Sequence, residues 1–283
     1  MLKKKKDLKY YIKRTFFYLF LLMLSTVCVI PLYWMVRSSF MVNTEIYSMR
    51  PFVVWPKEML WENYGKAWRS ADFPGYTINT LIIVLSCMVG TCLTSAMAAY
   101  AFSRLNWKGK KQCFALVLST MMLPGSVTLI PQFLIWRNFH LVDTLWPLIL
   151  PSFFGGGAFN IFLLRQFFLG IPRDLDDAAR IDGAGAWQIF FRIMIPLSKS
   201  AMVVVALFTF LNCWNDFFGP IIYLNSKEHF TIAIGLLQFK GDYGTKWNLL
   251  MAASTLSVTP CILVYLFGQK YLVEGIALTG MKA

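Results

Sequence analysis

Six long apolar runs constrain this chain more than any other feature of its sequence. A helix needs roughly 20 apolar residues to cross the ~30 Å hydrocarbon core of a bilayer, and each run approaches or exceeds that length. The runs therefore predict an all-α membrane protein with six transmembrane helices, called spans one to six. Their approximate limits are 15–36, 77–102, 113–136, 145–164, 200–223 and 249–269.

The composition excludes an ordinary soluble domain. Apolar residues make up 57% of the 283 residues and charged residues only 14%, whereas about a quarter of the residues in soluble domains are charged. The net charge of +13 would also suit a nucleic-acid-binding protein. However, 18 of the 27 Lys and Arg residues lie in the segments on the N-terminal side of the spans, and 9 lie on the other side. This bias predicts that both termini are cytoplasmic and that the chain has no nucleic-acid partner.

Residues 1–14 form a basic N-terminus that is expected to face anionic membrane lipid in the cytoplasm. The apolar run that follows is longer than the 7–15 residues of a signal-peptide core and lacks a small-x-small cleavage site after it. It is therefore expected to remain as an anchor, and residues 15–283 are predicted to form a single transmembrane domain. The basic residues are Lys3, Lys4, Lys5, Lys6, Lys9, Lys13 and Arg14.

Proline and glycine interrupt the third and fourth spans. Span three contains Pro124, Gly125 and Pro131, and span four contains Pro147, Pro151 and the run 155–157 of three glycines. These helices are expected to be bent or broken. Broken helices at membrane depth survive where protein or a water-filled cavity covers the freed backbone, so the two spans either line a pathway or carry simple packing kinks.

A charged segment, 172–197, separates spans four and five and predicts two short helices. Pro172 suits a helix start, and acidic residues at 174, 176 and 177 are favoured by the positive end of the helix dipole. Leu175, Ala178 and Ala179 would share a small apolar face. Gly183 suits the left-handed conformation that ends many helices.

The second helix is predicted to begin near Ala186 and to end at Pro196. Trp187, Phe190, Phe191 and Met194 recur at helical spacing and should form one face, expected to tie the segment to spans five and three. The residues alone leave two interpretations open. The pair of helices is either a docking element for a soluble partner or an ordinary pair of interfacial helices.

The sequence offers no evident catalytic site. It lacks the Gly-x-x-x-x-Gly-Lys-Ser/Thr pattern of an ATP-binding loop, and Gly109 is followed by two lysines without the rest of that pattern. His140 and His229 lie in predicted outer loops, and the six cysteines fall in or beside spans without metal-ligand spacing. We therefore expect no enzyme activity, no bound cofactor and no metal in this chain.

The charged segment resembles the EAA loop of ABC-importer permeases. That loop has the pattern Glu-Ala-Ala, then Gly, then Ile-x-Leu-Pro, and this chain has Asp177-Ala-Ala, Gly183 and Ile193–Pro196 at the same spacings. The departures are Asp at 177 and Ile at 195. Further matches narrow the resemblance to carbohydrate-type permeases similar to the six-span subunit of maltose systems. These are Asn79–Ile82, Ala98–Arg104, Phe162–Phe168, Ala178–Ala184, Trp214–Phe217 with Pro220, and Tyr243–Thr245 with Trp247 and Leu250–Ala252.

This resemblance implies a permease subunit of a binding-protein-dependent importer in the cell membrane of a prokaryote. The carbohydrate, an oligosaccharide by default, would cross by alternating access. The implied partners are a second, homologous permease, two copies of a cytoplasmic ATPase that uses ATP and Mg²⁺, and an extracytoplasmic solute-binding protein. The ATPase-coupling residues would be Asp174, Asp177, Ala178, Ala179, Arg180, Asp182 and Gly183, with Trp187, Phe190, Phe191 and Pro196 anchoring them.

Asp216 is the one acidic residue inside a predicted span, where a central Asp is unfavourable by about 2.5–3.5 kcal/mol, so it should face protein or water. Within a continuous span five, Asn212, Asn215 and Asp216 would share a face next to Trp214. This polar stripe would either hydrogen-bond sugar hydroxyls in a pathway or clamp span five to a neighbouring helix. A membrane enzyme or secondary transporter, the alternative class of function, would need more ionisable groups than this.

Overall fold

The computed structural model describes residues 8–47, 55–70, 72–241 and 244–280. Within these ranges the chain is almost wholly helical, with one two-stranded antiparallel ribbon. It divides into two compact units. Unit one comprises 1–71 and 238–257, and unit two comprises 72–237 and 258–283. The lysines at 3–6 lie outside the described residues.

Unit one is built around the first predicted span. Helix α1, at 32 residues, is long enough to cross a bilayer, and it continues through Pro31 without a break, as expected for a membrane helix. The other elements are short, apart from the first part of the last helix. The elements are α1 (Leu8–Ser39), α2 (Asn43–Tyr47), α3 (Glu62–Ser70), a 3₁₀ turn (Leu236–Phe239) that begins at the end of unit two, β1 (Lys240–Gly241), β2 (Gly244–Thr245) and the start of α15 (Trp247–Gly280).

A buried asparagine fixes the end of α1 within unit one. The side-chain amide of Asn63 donates to the carbonyl oxygens of Ser39 (2.9 Å) and Met41 (3.0 Å). Its own oxygen accepts a hydrogen bond from Asn248 at 3.3 Å. The buried amide thereby has the hydrogen-bond partners that it needs. It also provides donors for carbonyl oxygens that have no helical partner at the end of α1.

Unit two contains the remaining spans and the segment between spans four and five. Its first helix, α4, packs along α8 and α12 and forms the centre of the unit. Its elements are α4 (Phe73–Ser103), α5 (Lys110–Ser119), a 3₁₀ turn (Thr120–Met122), α6 (Gly125–Asn138), α7 (Trp146–Ile149), a 3₁₀ turn (Leu150–Phe153), α8 (Ala158–Gly170), α9 (Asp174–Ile181), α10 (Ala186–Ile189), a π-helical turn (Phe190–Met194), α11 (Ile195–Leu197), α12 (Lys199–Trp214), α13 (Phe218–Tyr223), a 3₁₀ turn (Lys227–His229), α14 (Ile232–Gly235) and the end of α15.

Four of the six predicted runs coincide with single helical stretches long enough to cross a bilayer. By length and composition, four helical stretches of the described chain can each cross a bilayer: Lys9–Ser39, Phe73–Ser103, Trp146–Gly170 and Trp247–Tyr271. Two further pairs qualify when each bent pair counts as one span. They are Lys110–Met122 with Gly125–Asn138, bent by 101°, and Ala186–Leu197 with Lys199–Trp214, bent by 79°. The all-α membrane fold is therefore confirmed, with four to six spans.

The predicted interruptions of spans three and four are confirmed. Span three bends at Pro124, which has an extended backbone between the two halves. Span four changes from α to 3₁₀ geometry and then passes through Gly155, Gly156 and Gly157, which all have positive φ. Residues with side chains adopt this conformation at a cost, which explains why glycine occupies the break.

Span five differs from the sequence prediction. The run 200–223 was expected to be one continuous helix, but α12 ends at Trp214 and α13 begins at Phe218. The carboxylate of Asp216 accepts a hydrogen bond from the backbone N–H of Gly219 at 3.1 Å and so caps the second piece. An aspartate at this position favours a helix start, and this local preference interrupts the apolar run.

We expect Gly156→Ala to destabilise the packing of span four on span two. An added Cβ would lie 2.7 Å from the carbonyl oxygen of Thr91, and the φ of +64° adds about 1–2 kcal/mol of strain for a residue with a side chain. The control is Gly170→Ala, where nothing lies within 4 Å and the change should stay within about 0.5 kcal/mol. Denaturant unfolding of the purified protein in detergent measures both, and equal effects of the two substitutions would contradict this account.

Candidate functional site

The segment 172–197 folds as the sequence predicts at its first helix. Helix α9 begins at Asp174 and carries three acidic residues in its first turn, where the helix dipole favours them. Gly183 has a φ of +84° and ends the helix. Its N–H donates to the carbonyl of Arg180, and the N–H of Ala184 donates to that of Ala179, a pair of bonds typical of a glycine C-cap.

One side of α9 is exposed and combines charge with apolar surface. Six of the seven predicted coupling residues are exposed: Asp174, Asp177, Ala178, Arg180, Asp182 and Gly183. Ala179 is buried instead and packs into the core of unit two. Two apolar side chains outside the predicted set share the exposed surface, Leu175 at 43% exposure and Ile181 at 86%. These two side chains add apolar surface to a face that is otherwise charged.

The buried side of α9 is attached by an arginine that the sequence analysis did not single out. Arg104, at the end of α4, lies 3.3 Å from a carboxylate oxygen of Asp176, and both side chains are almost fully buried. Its Nη2 also donates to the carbonyls of Phe168 (2.6 Å) and Ile171 (2.7 Å) at the end of α8. One guanidinium therefore joins the ends of spans two and four to α9.

The second helix of the segment is attached by a different face from the one predicted. Ile189, Phe190 and Met194 are buried, whereas Trp187 and Phe191 are 62% and 53% exposed. The predicted face requires α-helical spacing throughout, whereas Phe190–Met194 form a π-helical turn, which displaces the side chains that follow it. Pro196 is also exposed, and the helix continues past it to Leu197.

The anchoring contacts run to spans two, four and five. The ring of Phe190 packs against that of Tyr100 in α4 at a centroid distance of 5.3 Å. The same cluster includes residues of α8 and α12. The expected contact with span three stays a prediction. Trp187 and Phe191 stack on each other at 6.0 Å and form an aromatic surface beside α9.

The polar stripe predicted in span five is divided by the end of α12. Asn212 and Asn215 are exposed, but Asp216 lies in the break and caps α13. Trp214 is buried and stacks on Phe210 at 5.3 Å. The amide of Asn215 donates to the carbonyl of Leu211 in α12 and lies 3.9 Å from the Sγ of Cys261 in α15. Two asparagines are therefore at the surface beside a helix break, whereas Asp216 caps α13 and Trp214 packs on Phe210.

A second polar cluster, not found from the sequence, lies in the loops that follow α6 and α13. Asp143 accepts hydrogen bonds from the backbone N–H groups of Asn225 and Ser226, and also from the Ser226 hydroxyl. The hydrogen bond from the Ser226 side chain, followed by those from the backbone, holds the pKa of Asp143 well below its usual value. His229 lies 3.4 Å from the same carboxylate. The cluster ties the two loops together. The sequence gives no sign of this contact, because the pair Asp143 and Thr144 belongs to no recognisable pattern.

Within the described ranges, no three His, Cys, Asp or Glu residues stand close enough to hold a metal ion. The candidate site therefore consists of exposed helix faces and the polar contacts behind them.

A family model described as "Binding-protein-dependent transport system inner membrane component" matches residues 90–277, which include every element from the middle of α4 to the last helix. The chain belongs to this family of transport permeases. The permease is accordingly a multi-pass protein of the cell membrane, and its family role is that of a transporter subunit.

Named relatives match the sequence of the permease over nearly its whole length. It is 36% identical to a probable ABC transporter permease protein of Bacillus subtilis, with 99% of this chain and 92% of the relative covered. It is 35% identical to the permease of the arabinooligosaccharide transport system of Bacillus subtilis (93% and 94% covered). It is 32% identical to the permease of the diacetylchitobiose uptake system of Streptomyces coelicolor (88% and 83% covered).

Solved structures confirm the fold of the permease. It superposes on a chain of a bacterial ABC transporter that imports the acidic polysaccharide alginate, with a TM-score of 0.84 over 95% of this chain and 99% of that one, at 23% identity. A second alginate transporter structure, in complex with its pentasaccharide-bound periplasmic protein, gives a TM-score of 0.67 at 16% identity.

We expect Arg104→Ala to destabilise the permease by about 3–5 kcal/mol, because it leaves the Asp176 carboxylate buried without its cation. The control is Lys66→Ala, which removes an ion pair whose two side chains are both more than half exposed and should have an effect of at most about 1 kcal/mol. Unfolding in denaturant after purification in detergent measures the difference. A loss from Arg104→Ala no larger than that from Lys66→Ala would show that the buried pair contributes little.

Proposed function

We propose that this permease forms one half of the membrane pathway of an ATP-driven importer for a carbohydrate, with an oligosaccharide as the first choice. The observation that carries this proposal is α9, a charged helix that leaves Ile181 and Leu175 exposed and is attached to the spans behind it by a buried ion pair. The names of the relatives support the substrate class, since they include transport systems for arabinooligosaccharides, galactooligosaccharides and diacetylchitobiose. A relative from a glycerol-3-phosphate system marks the alternative class of solute.

The proposed partners are a second, homologous permease, two copies of a cytoplasmic ATPase and an extracytoplasmic solute-binding protein. The family description supports the binding protein. The 36% identical relative named as an ABC transporter permease supports the ATPase, which would bind ATP and Mg²⁺. The exposed surface of α9, together with the stacked pair Trp187 and Phe191, provides the contact surface for it.

The proposed membrane orientation is consistent with this contact. The excess of Lys and Arg on the N-terminal side of the spans predicts that both termini, the loop after span two and the segment 172–197 lie in the cytoplasm. Cytoplasmic ATP binding could then move α9 and the ends of the spans attached to it. This is the mechanical requirement of alternating access, in which a pathway opens to one side at a time.

The solute pathway is proposed to pass the break in span five. Asn212 and Asn215 expose amide groups there, and amides are suitable partners for sugar hydroxyls. Asp216 caps α13 at the same break, and Trp214 stacks on Phe210. The substrate contacts are therefore assigned to the two asparagines.

The experiment that tests the proposed function begins with the cognate binding protein. Its thermal shift against a panel of monosaccharides, oligosaccharides and glycerol 3-phosphate identifies the solute, and uptake of that solute is then measured in proteoliposomes that contain the whole complex. ATP-dependent uptake of an oligosaccharide supports the proposal. Uptake in the absence of the ATPase subunit would contradict the proposal, and so would a complete complex that takes up no carbohydrate.

We expect Asp177→Lys and Gly183→Pro to abolish ATP-driven uptake while the permease still inserts and folds. Lys reverses a charge on the exposed face of α9, and proline cannot adopt the φ of +84° found at Gly183. The matched controls are Asp177→Glu, which keeps the charge, and Gly183→Asn, which tolerates a left-handed conformation. Uptake and co-purification of the ATPase are the measurements, and full uptake in either disruptive variant would rule out α9 as the coupling surface.

We expect Asn215→Leu to reduce uptake of the solute about fivefold or more, because a sugar hydroxyl left without its partner in the pathway is unfavourable by about 1–3 kcal/mol. Basal ATP hydrolysis and assembly should stay unchanged. Gln269→Leu is the control, because Gln269 is also exposed and also donates to a carbonyl of its own helix. Failure of Asn215→Leu to assemble with the second permease would instead identify Asn215 as a clamp between helices.

A further inference from the structure

The loop between α4 and α5 contains a basic groove at the junction of spans two and three. Its cavity has a volume of about 320 Å³, and its lining contains no acidic residue. Helix α5 begins with Lys110 and Lys111 and has no acidic residue in its first turn. Because the dipole at a helix start favours negative charge, the two lysines here add to a positive potential instead of offsetting it. The basic groove is lined by Asn106, Trp107, Gly109, Lys110, Lys111 and Gln112.

Two arginines from other elements increase this positive charge. Arg165 of α8 and Arg173, just before α9, lie close enough for their charges to repel that of Lys110. Within the described ranges, none of these three cations forms an ion pair with a carboxylate. The Nζ of Lys110 is nevertheless held in place, since it donates to the carbonyl of Leu105 at 2.7 Å. Like charges gathered without an acid repel one another, and a bound anion would relieve that repulsion.

Arg165 is positioned by its neighbours and keeps donors available. Its Nε donates to the carbonyl of Phe102 at 3.2 Å, and its guanidinium lies 4.2 Å from the centroid of the Phe114 ring. In the part of the chain that the structure describes, Nε is the nitrogen of this guanidinium that bonds to the protein. A guanidinium held in this way presents a planar fork of N–H groups, which fits two oxygens of a phosphate or a carboxylate. The cluster is therefore suited to an oxyanion.

The basic groove lies beside the apolar surface of a membrane helix. Trp107 is 40% exposed and donates its indole N–H to the carbonyl of Ala101 at 3.3 Å, and tryptophan is enriched at membrane interfaces. One turn beyond Gln112 on α5, Leu116 is 67% exposed. Basic pockets between membrane helices on the cytoplasmic side bind the phosphate headgroups of anionic lipids. Positive charge next to exposed apolar surface favours a lipid over a free anion or an acidic protein surface, either of which would need the charge alone.

We propose that the basic groove, together with Arg165 and Arg173, binds the headgroup phosphate of an anionic phospholipid of the phosphatidylglycerol class, whose acyl chains lie along α5. The phosphate relieves the repulsion among Lys110, Arg165 and Arg173 and so stabilises the approach of α5, α8 and the start of α9. The site uses none of the N-terminal lysines. It depends neither on the identity of the solute nor on contact with an ATPase.

Native mass spectrometry of the assembled complex tests this lipid site. The complex is delipidated in detergent and titrated with phosphatidylglycerol and, separately, with phosphatidylcholine that has the same acyl chains. Phosphatidylglycerol should bind more tightly. Lys110→Gln with Lys111→Gln should weaken its binding on the order of twentyfold, because each basic residue near an anionic lipid contributes about fivefold. If that variant does not assemble, Lys111→Gln alone changes an exposed side chain and should weaken binding about fivefold.

The matched control is Arg192→Gln with Lys199→Gln, which removes the same charge from the same predicted side of the membrane. Both residues are exposed, and their charges do not act on Lys110. Because salt screens exposed charges beyond about 8 Å, this variant should bind phosphatidylglycerol within about twofold of the unmodified complex. Equal losses in the two double variants would show that the attraction is diffuse, and would overturn the proposal.

Two further outcomes separate the lipid from other anionic ligands. Glycerophosphoglycerol, which is the headgroup without acyl chains, should not displace phosphatidylglycerol at equal concentration. Displacement would make the basic groove a site for free anions and would overturn the lipid assignment. The ATPase subunit should still co-purify with the variant that carries Lys110→Gln and Lys111→Gln. Loss of the ATPase with lipid binding unchanged would assign the groove to the ATPase contact instead.

Discussion

The structure depends on one constraint: in hydrocarbon, every backbone N–H and C=O needs a partner within the protein. Continuous helices satisfy it directly, whereas the break in span four does not. Side chains supply the missing bonds there. Thr94 donates to the carbonyl of Ser152, Cys87 to that of Leu148 and Asn160 to that of Gly156. Two of these three donors lie on α4, so span two makes the interruption of its neighbour possible.

The same principle explains the arrangement at the end of span four. The end of α8 leaves carbonyl oxygens without helical partners, and Arg104 of α4 closes two of them with one charged group. A neutral side chain could have made these bonds. The positive charge additionally requires a buried acid, and Asp176 supplies it from α9. The group that satisfies the backbone at the end of span four therefore also attaches the exposed helix α9 to the ends of spans two and four.

The sequence was sufficient for features that follow from local chemistry. Apolar length predicts the spans, proline and glycine predict the breaks in spans three and four, and Gly183 predicts the end of α9. Features set by tertiary contacts were missed or misplaced. The buried face of the second helix contains Ile189 in place of Trp187, and the role of Asp216 as a cap divides a run that reads as one helix. The partner of Asp176 is 72 residues away in sequence, and no periodicity connects it to Arg104.

These two kinds of polar contact suggest how a membrane protein of this family can move without exposing its backbone. At the break in span four, three of the freed carbonyls have side-chain partners of their own, so the bend satisfies them without water. At the end of span four, by contrast, one guanidinium serves three partners. A movement of any one of these elements therefore acts on the other two through the same group. Local partners at the bend and a shared partner at the junction are together what a coupled movement of spans two and four with α9 requires.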